Sequence, residues 1–285
     1  MLSRGRAIEP ALFTPIAHAI AAGIEGWNEK EFVHDPTKMS RGLEALSNAI
    51  GTDGIFIAAA TAMEAEAAGA ELNWDTYPPR VVSPPLQDLS EAQSLPAKLP
   101  AAARIEAALE TTRRLAATLT EGPLLAAAVT GPQTLAGQLV GADRLGEIEP
   151  TDQERDICGQ VCAELARLFC EAGTHMIVVQ EEIKPPKDGD EGGTRHPWRD
   201  ALVPLFNIVR FHKKLVVELD VGNGLGSTRI EGQGDAAAVL PGDPDQWQIL
   251  PATGSLLITA GEIPANTNLP ELTGKCREIA GSLAP

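Results

Sequence analysis

The chain has 285 residues, of which 44% are hydrophobic and 22% are charged, and it carries a formal net charge of −16. Phosphate backbones and anionic lipid surfaces repel a chain this acidic, so the charge argues against nucleic acid and membranes as partners. The stretch MLSRGRAIEP does not resemble a signal peptide, and no apolar run approaches the roughly 20 residues that span a bilayer, which predicts a soluble cytoplasmic protein.

Strand-like and helical segments alternate along most of the chain. The segment ALFTPIAH (11–18) predicts the first strand. A helix is predicted to begin at Asp35-Pro36 and to end at Gly51, because this stretch has an N-cap residue, a proline in its first turn and a closing glycine. The later predicted segments are, in order, strand 54–60, helix 101–120, strand 123–131, helix 152–172, strand 175–182, helix 199–214, strand 215–220, strand 256–262 and a helix from Leu269.

This alternation predicts the fold class. Strands that alternate with helices, without hairpin signals, are typical of parallel strands joined by right-handed crossovers. An open doubly wound sheet and a closed barrel both satisfy that pattern, and the length and the number of units favour the barrel. The segments 78–100 and 184–199, rich in proline, glycine and charge, are interpreted as excursions above the barrel mouth. We therefore predict one (β/α)₈ TIM barrel domain over residues 1–285.

Several segments resemble the uroporphyrinogen decarboxylase superfamily, which also contains zinc-dependent methyltransferases that act on methylcorrinoids and thiols. The resemblance covers most of the chain. It is carried by HDPTKM, GTDGIFIAA and EAEAAGAEL in the first half, by GPLLAAAVTGPQTLAGQLVG, CEAGTHMIVVQEE and KKLVVELDVGN in the middle, and by TAGEIPANTNLPEL near the end. It implies the same barrel, with an active site at the C-terminal strand ends, and a possible homodimer.

The residues that mark the family's known chemistries are replaced. The resemblance places Leu219 and Val221 where the methyltransferases carry the zinc ligands of a His-x-Cys pair, and a position near Gly261 where they carry a further cysteine. None of these residues can bind zinc, so a thiolate zinc site is not expected. The pyrrole-binding aspartate of the decarboxylases falls at about Ala60, and their arginine-rich N-terminal loop is not recognisable.

The strand LVVELD (215–220) brings carboxylates to a strand end, where α/β barrels keep their catalytic groups. Because side chains alternate along a strand, Glu218 and Asp220 share one face, while Val217 and Leu219 share the other. We expect the apolar face to contact the helices, which turns Glu218 and Asp220 into the barrel mouth. Burial of two carboxylates together raises the pKa of one, which could then act as a general acid or base. The alternative is that arginines or backbone amides neutralise both.

Glu181 and Glu182 end the preceding predicted strand, and by the resemblance Glu181 is the one that lies in the site. With Glu218 and Asp220, Glu181 could form an all-oxygen site for Mg²⁺, Mn²⁺ or another hard cation. The sequence leaves open whether a metal is bound.

Other polar residues near strand ends are predicted to hydrogen-bond a substrate, although each could equally satisfy loop backbone. They are Thr130 and Gln133 around Gly131-Pro132, Asn223, and Glu262 and Asn266 at and after the last strand.

Two histidines are candidates for proton transfer, because histidine is the usual general acid or base. His18 ends the predicted first strand, and His196 lies in the segment 184–199. His175 begins a strand and is therefore expected at the bottom of the barrel, in a structural role.

These residues support three hypotheses. The first is a lyase that decarboxylates or cleaves a C–C bond in a small organic acid or aromatic compound, with Glu218, Asp220 and Glu181 as acid–base or cation-binding groups. The second is zinc-independent methyl transfer to or from a corrinoid or tetrahydrofolate carrier, with a corrinoid protein as partner. The third is a non-catalytic barrel whose acidic mouth is plugged by its own arginines, such as Arg195, Arg199 or Arg229.

Overall fold

The structure is a computed structural model that describes residues 12–59, 62–183, 197–221, 227–230, 237–247 and 256–283. The described strands are β1 (Leu12–Ile16), β2 (Gly54–Ala58), β3 (Glu71–Asn73), β4 (Arg80–Ser83), β5 (Leu124–Thr130), β6 (Met176–Glu181), β7 (Leu215–Asp220), β8 (Ser227–Ile230), β9 (Ala237–Leu240) and β10 (Leu256–Glu262). The described α-helices are α1 (His18–Ile24), α2 (Glu29–His34), α3 (Pro36–Ile50), α4 (Met63–Ala67), α5 (Leu95–Lys98), α6 (Ala103–Thr118), α7 (Pro132–Val140), α8 (Ala142–Glu147), α9 (Asp152–Ala172), α10 (Pro197–Asp200), α11 (Val203–Phe211) and α12 (Leu269–Leu283).

The strands follow one another around a ring. Hydrogen bonds join them into a five-stranded sheet of order β2-β5-β6-β7-β8 and a three-stranded sheet of order β1-β10-β9. β1 also lies beside β2, and β8 lies beside β9, so the two sheets meet along both of their edges. In the described ranges, hydrogen-bonded ladders do not continue across these two seams. β3 and β4 form a separate antiparallel hairpin.

Two apolar clusters show which way the side chains point. The inner cluster draws its buried members almost entirely from the strands, and in β7 these are Leu215, Val217 and Leu219. The outer cluster joins the strands to the helices and includes Val216 of β7. Strands buried on both faces are expected for a parallel sheet enclosed by helices. Along β7, the odd-numbered side chains therefore point into the ring, and the even-numbered ones point towards the helices.

The predicted helices form where their capping signals lie. The Asp35 side chain accepts the backbone N–H groups of Thr37 and Lys38 at the start of α3, and Gly51 ends this helix with φ of 66°. In α9, Thr151 and Glu154 make a reciprocal capping box. α9 packs against α6, α7 and α11, so it is a central element of the outer layer.

Two expectations about the architecture are wrong. β8 pairs antiparallel with β7, whereas we predicted only parallel strands. The connection 221–226 is too short for a helical crossover, which takes a dozen or more residues.

The segment 78–100 is not simply an excursion above the barrel either. Its strand β4 pairs with β3. Leu89 and Leu95 are buried in the outer cluster, and the short helical turns 89–94 and 95–98 to which they belong contact α9. Most of the second expected excursion, 184–196, lies outside the described residues.

The lengths and hydropathies of the helices also bear on membranes. Within the described ranges, none of the helices combines the length and the apolar composition that crossing a bilayer requires.

Candidate active site

Glu181 binds the start of a helix at the C-terminal ends of the strands. It is the last residue of β6, and α7 begins at Pro132 directly after β5. Glu181 Oε2 accepts the backbone N–H of Thr134 at 2.9 Å and its hydroxyl at 2.6 Å, and Oε1 accepts the backbone N–H of Gln133 at 3.1 Å. The first N–H groups of a helix have no partners within the helix, so the carboxylate satisfies them. Glu181 thereby holds β6 and α7 together.

Burial nevertheless makes the Glu181 carboxyl a weak acid. Desolvation raises its pKa to about 7, the nearby charge of Asp220 adds to this, and the hydrogen bonds from α7 oppose it. Desolvation disfavours the charged form of an acid, which is the physical cause of this direction. A carboxyl group with this pKa is protonated in a substantial fraction of molecules at neutral pH. Such a group can give or take a proton there.

Glu218 is held by an arginine. Arg199 of α10 donates from Nε to Glu218 Oε2 and from an Nη to Oε1, both at 2.9 Å, and its guanidinium lies 5.2 Å from the centroid of the Phe206 ring. Planar two-point pairing of this kind is the geometry that arginine favours with carboxylates. The alternative of neutralisation by arginine therefore holds for Glu218.

The predicted orientation of Glu218 and Asp220 is wrong. We expected the apolar face of β7 to contact the helices, but Val217 and Leu219 belong to the inner cluster, so Glu218 and Asp220 are on the helix-facing side. The reason is that the interior of the ring is itself a packed apolar core, as in other α/β barrels. Both carboxylates remain close to the C-terminal end of β7.

A cavity of about 170 Å³ joins these groups. It lies where β6, β7, α7 and α10 meet. Asp220 is the register partner of Glu181, which brings both carboxylates to the same side of neighbouring strands. The cavity is lined by Gln133, Val179, Glu181, Trp198, Arg199, Leu202, Glu218, Leu219 and Asp220. The structure thus brings together Glu181, Glu218, Asp220 and Gln133 from the sequence-predicted set.

Thr130 donates two hydrogen bonds to a buried glutamate, Glu64, whose role was not predicted from the sequence. Glu64 in α4 is fully buried and accepts the backbone N–H of Thr130 at 2.8 Å and the hydroxyl of Thr130 at 2.7 Å. Burial raises the pKa of Glu64. Thr130 therefore anchors α4 to the end of β5, whereas we predicted a substrate contact. The available signal was the motif EAEAAGAEL, which starts at Glu64, but in sequence it is indistinguishable from the exposed charges of a helix.

A second missed group surrounds Arg104, which is only 4% exposed although it is charged. Arg104 donates to Glu66 at 3.2 Å, and its guanidinium lies 5.2 Å from the Trp74 ring centroid. His34 lies 3.6 Å from the other oxygen of Glu66. These contacts, with desolvation opposing them, leave the pKa of Glu66 below its usual value. The group fastens α6 to α2, α4 and the β3–β4 region.

His18 and Glu262 lie on the other side of the ring, at the ends of β1 and β10. His18 Nδ1 is 3.5 Å from Glu262 Oε2, and both side chains are buried. Asn266 lies in an exposed turn after β10 and is not brought to the cavity beside Glu181. His196 and Asn223 lie outside the described residues.

The positions that correspond to zinc ligands do not suit zinc. Leu219 is 1% exposed within the inner cluster, Val221 packs against that cluster, and Gly261 has no side chain. Across the described ranges, no three histidine, cysteine, aspartate or glutamate side chains are grouped closely enough to hold a metal ion. Glu181 and Glu218 are instead bound by the α7 amides and by Arg199. The donor set therefore does not form the carboxylate metal site considered from the sequence.

Comparisons with known proteins agree with this fold. The model of the family described as uroporphyrinogen decarboxylase (URO-D) matches residues 10–185. A solved structure of a methyltransferase from Methanosarcina mazei aligns with a TM-score of 0.70 at 18% identity, over 99% of this chain and 94% of that chain. No curated protein sequence matches the chain. The likeness of fold confirms the predicted (β/α)₈ class, and because the family match covers more than half of the 285 residues, the chain belongs to the uroporphyrinogen decarboxylase family.

Proposed function

We propose that this protein is a methyltransferase that moves a methyl group to or from a corrinoid or tetrahydrofolate carrier without a zinc–thiolate centre. The observation that carries the proposal is the likeness of fold to a methyltransferase over 99% of this chain and 94% of the other. A decarboxylase in the same family has the same barrel, so the choice between the two rests on the chemistry of the cavity beside Glu181.

The cavity beside Glu181 is poorly suited to a polyanionic substrate such as a porphyrinogen with several carboxylates. Glu181, Glu218 and Asp220 line the described cavity, and Arg199, its cationic residue, already makes a two-point pair with Glu218. A substrate carboxylate placed beside these groups would be repelled by them and would have to compete for Arg199. The electrostatics therefore favour a neutral or cationic methyl donor over a porphyrinogen.

Glu181 supplies the acid that methyl transfer from a neutral nitrogen or oxygen donor needs. When a methyl group leaves nitrogen or oxygen, the electron pair of the broken bond stays on that atom, and protonation stabilises it. Because the pKa of Glu181 is raised to about 7, its carboxyl carries a proton in a substantial fraction of molecules at neutral pH. Oε2 of Glu181 accepts two hydrogen bonds from Thr134, whereas Oε1 accepts one longer hydrogen bond from Gln133. Because Oε1 is the less strongly hydrogen-bonded oxygen, it is the better position for the proton. A corrinoid, when bound, would supply the cobalt that takes up or releases the methyl group.

A lyase is the second candidate function, and the raised pKa of Glu181 supports it as well. After loss of CO₂, the remaining carbanion must be protonated, and Glu181 could supply that proton at neutral pH. The third hypothesis, a plugged barrel, receives less support. Arg199 does pair with Glu218 as that hypothesis requires, but a cavity of about 170 Å³ remains beside the pair.

The proposal has consequences for partners and location. A corrinoid carried by a separate protein would dock over the C-terminal strand ends, and the reaction would take place in the cytoplasm with a small-molecule methyl donor or acceptor. A homodimer, as implied by family resemblance, is compatible with this arrangement.

Carrier binding tests the proposal. Trp198 lines the cavity, so titration with methylcobalamin and, separately, with methyltetrahydrofolate should quench tryptophan fluorescence with a saturable dependence. A Trp198→Phe variant should bind the same carrier with a smaller change in fluorescence. If neither carrier binds while a small organic acid releases CO₂, the lyase replaces the methyltransferase.

A further inference from the structure

His18 and Glu262 meet in a buried position on the opposite side of the strand ring from Glu181. Their side chains are 1% and 4% exposed, and His18 Nδ1 lies 3.5 Å from Glu262 Oε2. Among the residues that the structure describes, neither of these two atoms has a hydrogen-bond partner of ordinary geometry. Buried polar atoms are nearly always partnered, so this contact needs a physical account.

The other polar atom of each side chain already has a hydrogen-bond partner. His18 Nε2 lies 3.1 Å from the carbonyl oxygen of Ile57, which can only accept, so Nε2 carries a hydrogen and donates it. Glu262 Oε1 accepts the backbone N–H of Ala19 at 2.7 Å. In a neutral imidazole with a hydrogen on Nε2, Nδ1 presents a lone pair. An ionised Oε2 presents lone pairs as well, so two acceptors would face each other at 3.5 Å, which is too close for a water to lie between them.

We propose that a proton resides between these atoms, so that His18 and Glu262 form a buried imidazolium–carboxylate pair. The proton converts two opposed acceptors into a donor and an acceptor of opposite charge. We place it on Nδ1 of His18, because imidazole is in general a stronger base than a carboxylate.

The surroundings allow this proton to exchange. A cavity of about 10 Å³ adjoins His18 and is also lined by Tyr77 and Arg104. This volume is close to that of a single water, so it could pass a proton but not hold an organic substrate. The Tyr77 ring centroid lies 6.3 Å from that of His18, and burial raises the pKa of its hydroxyl, which stays neutral. Arg104 is the charged group that faces the cavity from α6, and its contact with Glu66 offsets its charge.

The pair is a second proton-holding group near the C-terminal strand ends, on the opposite side of the ring from Glu181. Its use in catalysis rests on the proposed function, since methyl transfer or decarboxylation would draw on it. Its existence does not rest on that proposal, and the test below requires no activity.

Nitrogen NMR of histidine-labelled protein counts the ring protons directly. The chain has five histidines, and a His18→Gln variant identifies the His18 signals by their loss. His175 is an internal control: its Nδ1 accepts the Leu125 N–H at 3.0 Å, so it must be neutral, and burial with the charge of Lys214 lowers its pKa. At neutral pH we expect two protonated ring nitrogens in His18 and one in His175. A single protonated nitrogen in His18 would overturn the proposal.

A Glu262→Gln variant extends the test. Glutamine keeps the size of the side chain and can donate to Nδ1, so His18 should lose its Nδ1 proton at the same pH. Circular dichroism checks that the variant is folded, and an unchanged His175 signal checks that the barrel away from the substitution is unperturbed. If the variant folds and His18 keeps both protons, Glu262 does not hold the proton and the pair is rejected.

Discussion

Glu181 and Asp220 are register partners at the ends of the parallel strands β6 and β7, so their carboxylates project from the same side of the sheet. Neighbouring like charges make ionisation of the second group harder, and Asp220 adds to the effect of burial on the pKa of Glu181. This juxtaposition places a carboxyl group that titrates near neutrality beside the cavity. The acid–base chemistry proposed for the protein depends on it.

The raised pKa of Glu181 predicts how stability depends on pH. Because the folded state binds its proton more tightly than the unfolded state, the free energy of unfolding should fall as pH rises from the ordinary glutamate value to about 7. Over this pH range the total fall in the free energy of unfolding due to Glu181 is about 3 kcal/mol at most, by the conversion between pKa and free energy. A Glu181→Gln variant should lose most of that pH dependence. Urea unfolding at a series of pH values measures it.

Glu110 provides the control for that slope. Arg114 lowers the pKa of Glu110, so its contribution to stability is present above the unfolded-state pKa and is lost as pH falls. Glu110→Gln should therefore leave the slope between pH 5 and 7 intact. An equal loss of slope in both variants would show that Glu181 is not its source.

The Arg199–Glu218 pair should show measurable coupling. Its geometry is two-point, but the side chains are 39% and 20% exposed, so solvent weakens the interaction. A double-mutant cycle with Arg199→Ala and Glu218→Gln should give about 1 kcal/mol of coupling in the free energy of unfolding. The Lys275–Asp245 pair, in which Asp245 is 86% exposed, is the control and should give close to zero. Equal coupling in the two cycles would contradict the structural account of Glu218.

A side chain at position 131 would collide with the carboxylate of Glu181, so we expect Gly131 to be required for full stability. A Cβ atom at Gly131 would lie 2.2 Å from the carboxyl carbon of Glu181, so Gly131→Ala must displace the carboxylate from the start of α7. We expect a loss of about 1–3 kcal/mol in stability, since the α7 amides lose their acceptor. Gly274→Ala, in α12, meets no atom within 4 Å and should be neutral or stabilising, because alanine is the better helix former. Differential scanning calorimetry compares the two.

Divalent cations should not stabilise the protein by binding in the cavity beside Glu181. A hard cation bound by Glu181 and Glu218 would have to displace the Thr134 donors from one carboxylate and Arg199 from the other. We therefore expect millimolar Mg²⁺ or Mn²⁺ to leave the unfolding midpoint unchanged. A rise in the midpoint that is abolished in Glu181→Gln would show a metal site there, since ligands that bind the folded state stabilise it.

The sequence predicted the helix–strand alternation well because local signals determine it. The caps of α3, the span of α9 and the apolar runs of β5 and β6 lie where expected. The orientation of β7 could not be read in the same way, because both of its faces are buried and alternation does not say which one lines the ring. β8 was missed because it has only four residues and follows a connection too short for a helical crossover.

The candidate site was predicted only in part, for a related reason. Glu181, Glu218 and Asp220 were found from their position at strand ends, and the structure brings all three to one cavity. Arg199 contacts Glu218, which lies 19 positions away in the sequence, and Glu64 contacts Thr130, which lies 66 positions away. No local sequence pattern indicates contacts over such separations. The same holds for the contact between His18 and Glu262.

Methyl transfer itself is the most direct test of the central claim. The purified protein is mixed with reduced cobalamin and a panel of N-methyl and O-methyl donors, and formation of methylcobalamin is followed by absorbance. The account predicts transfer from at least one neutral donor, and a marked loss of rate with that donor in Glu181→Gln. Transfer that is unaffected by Glu181→Gln, or no transfer from any donor together with CO₂ release from an organic acid, would contradict it.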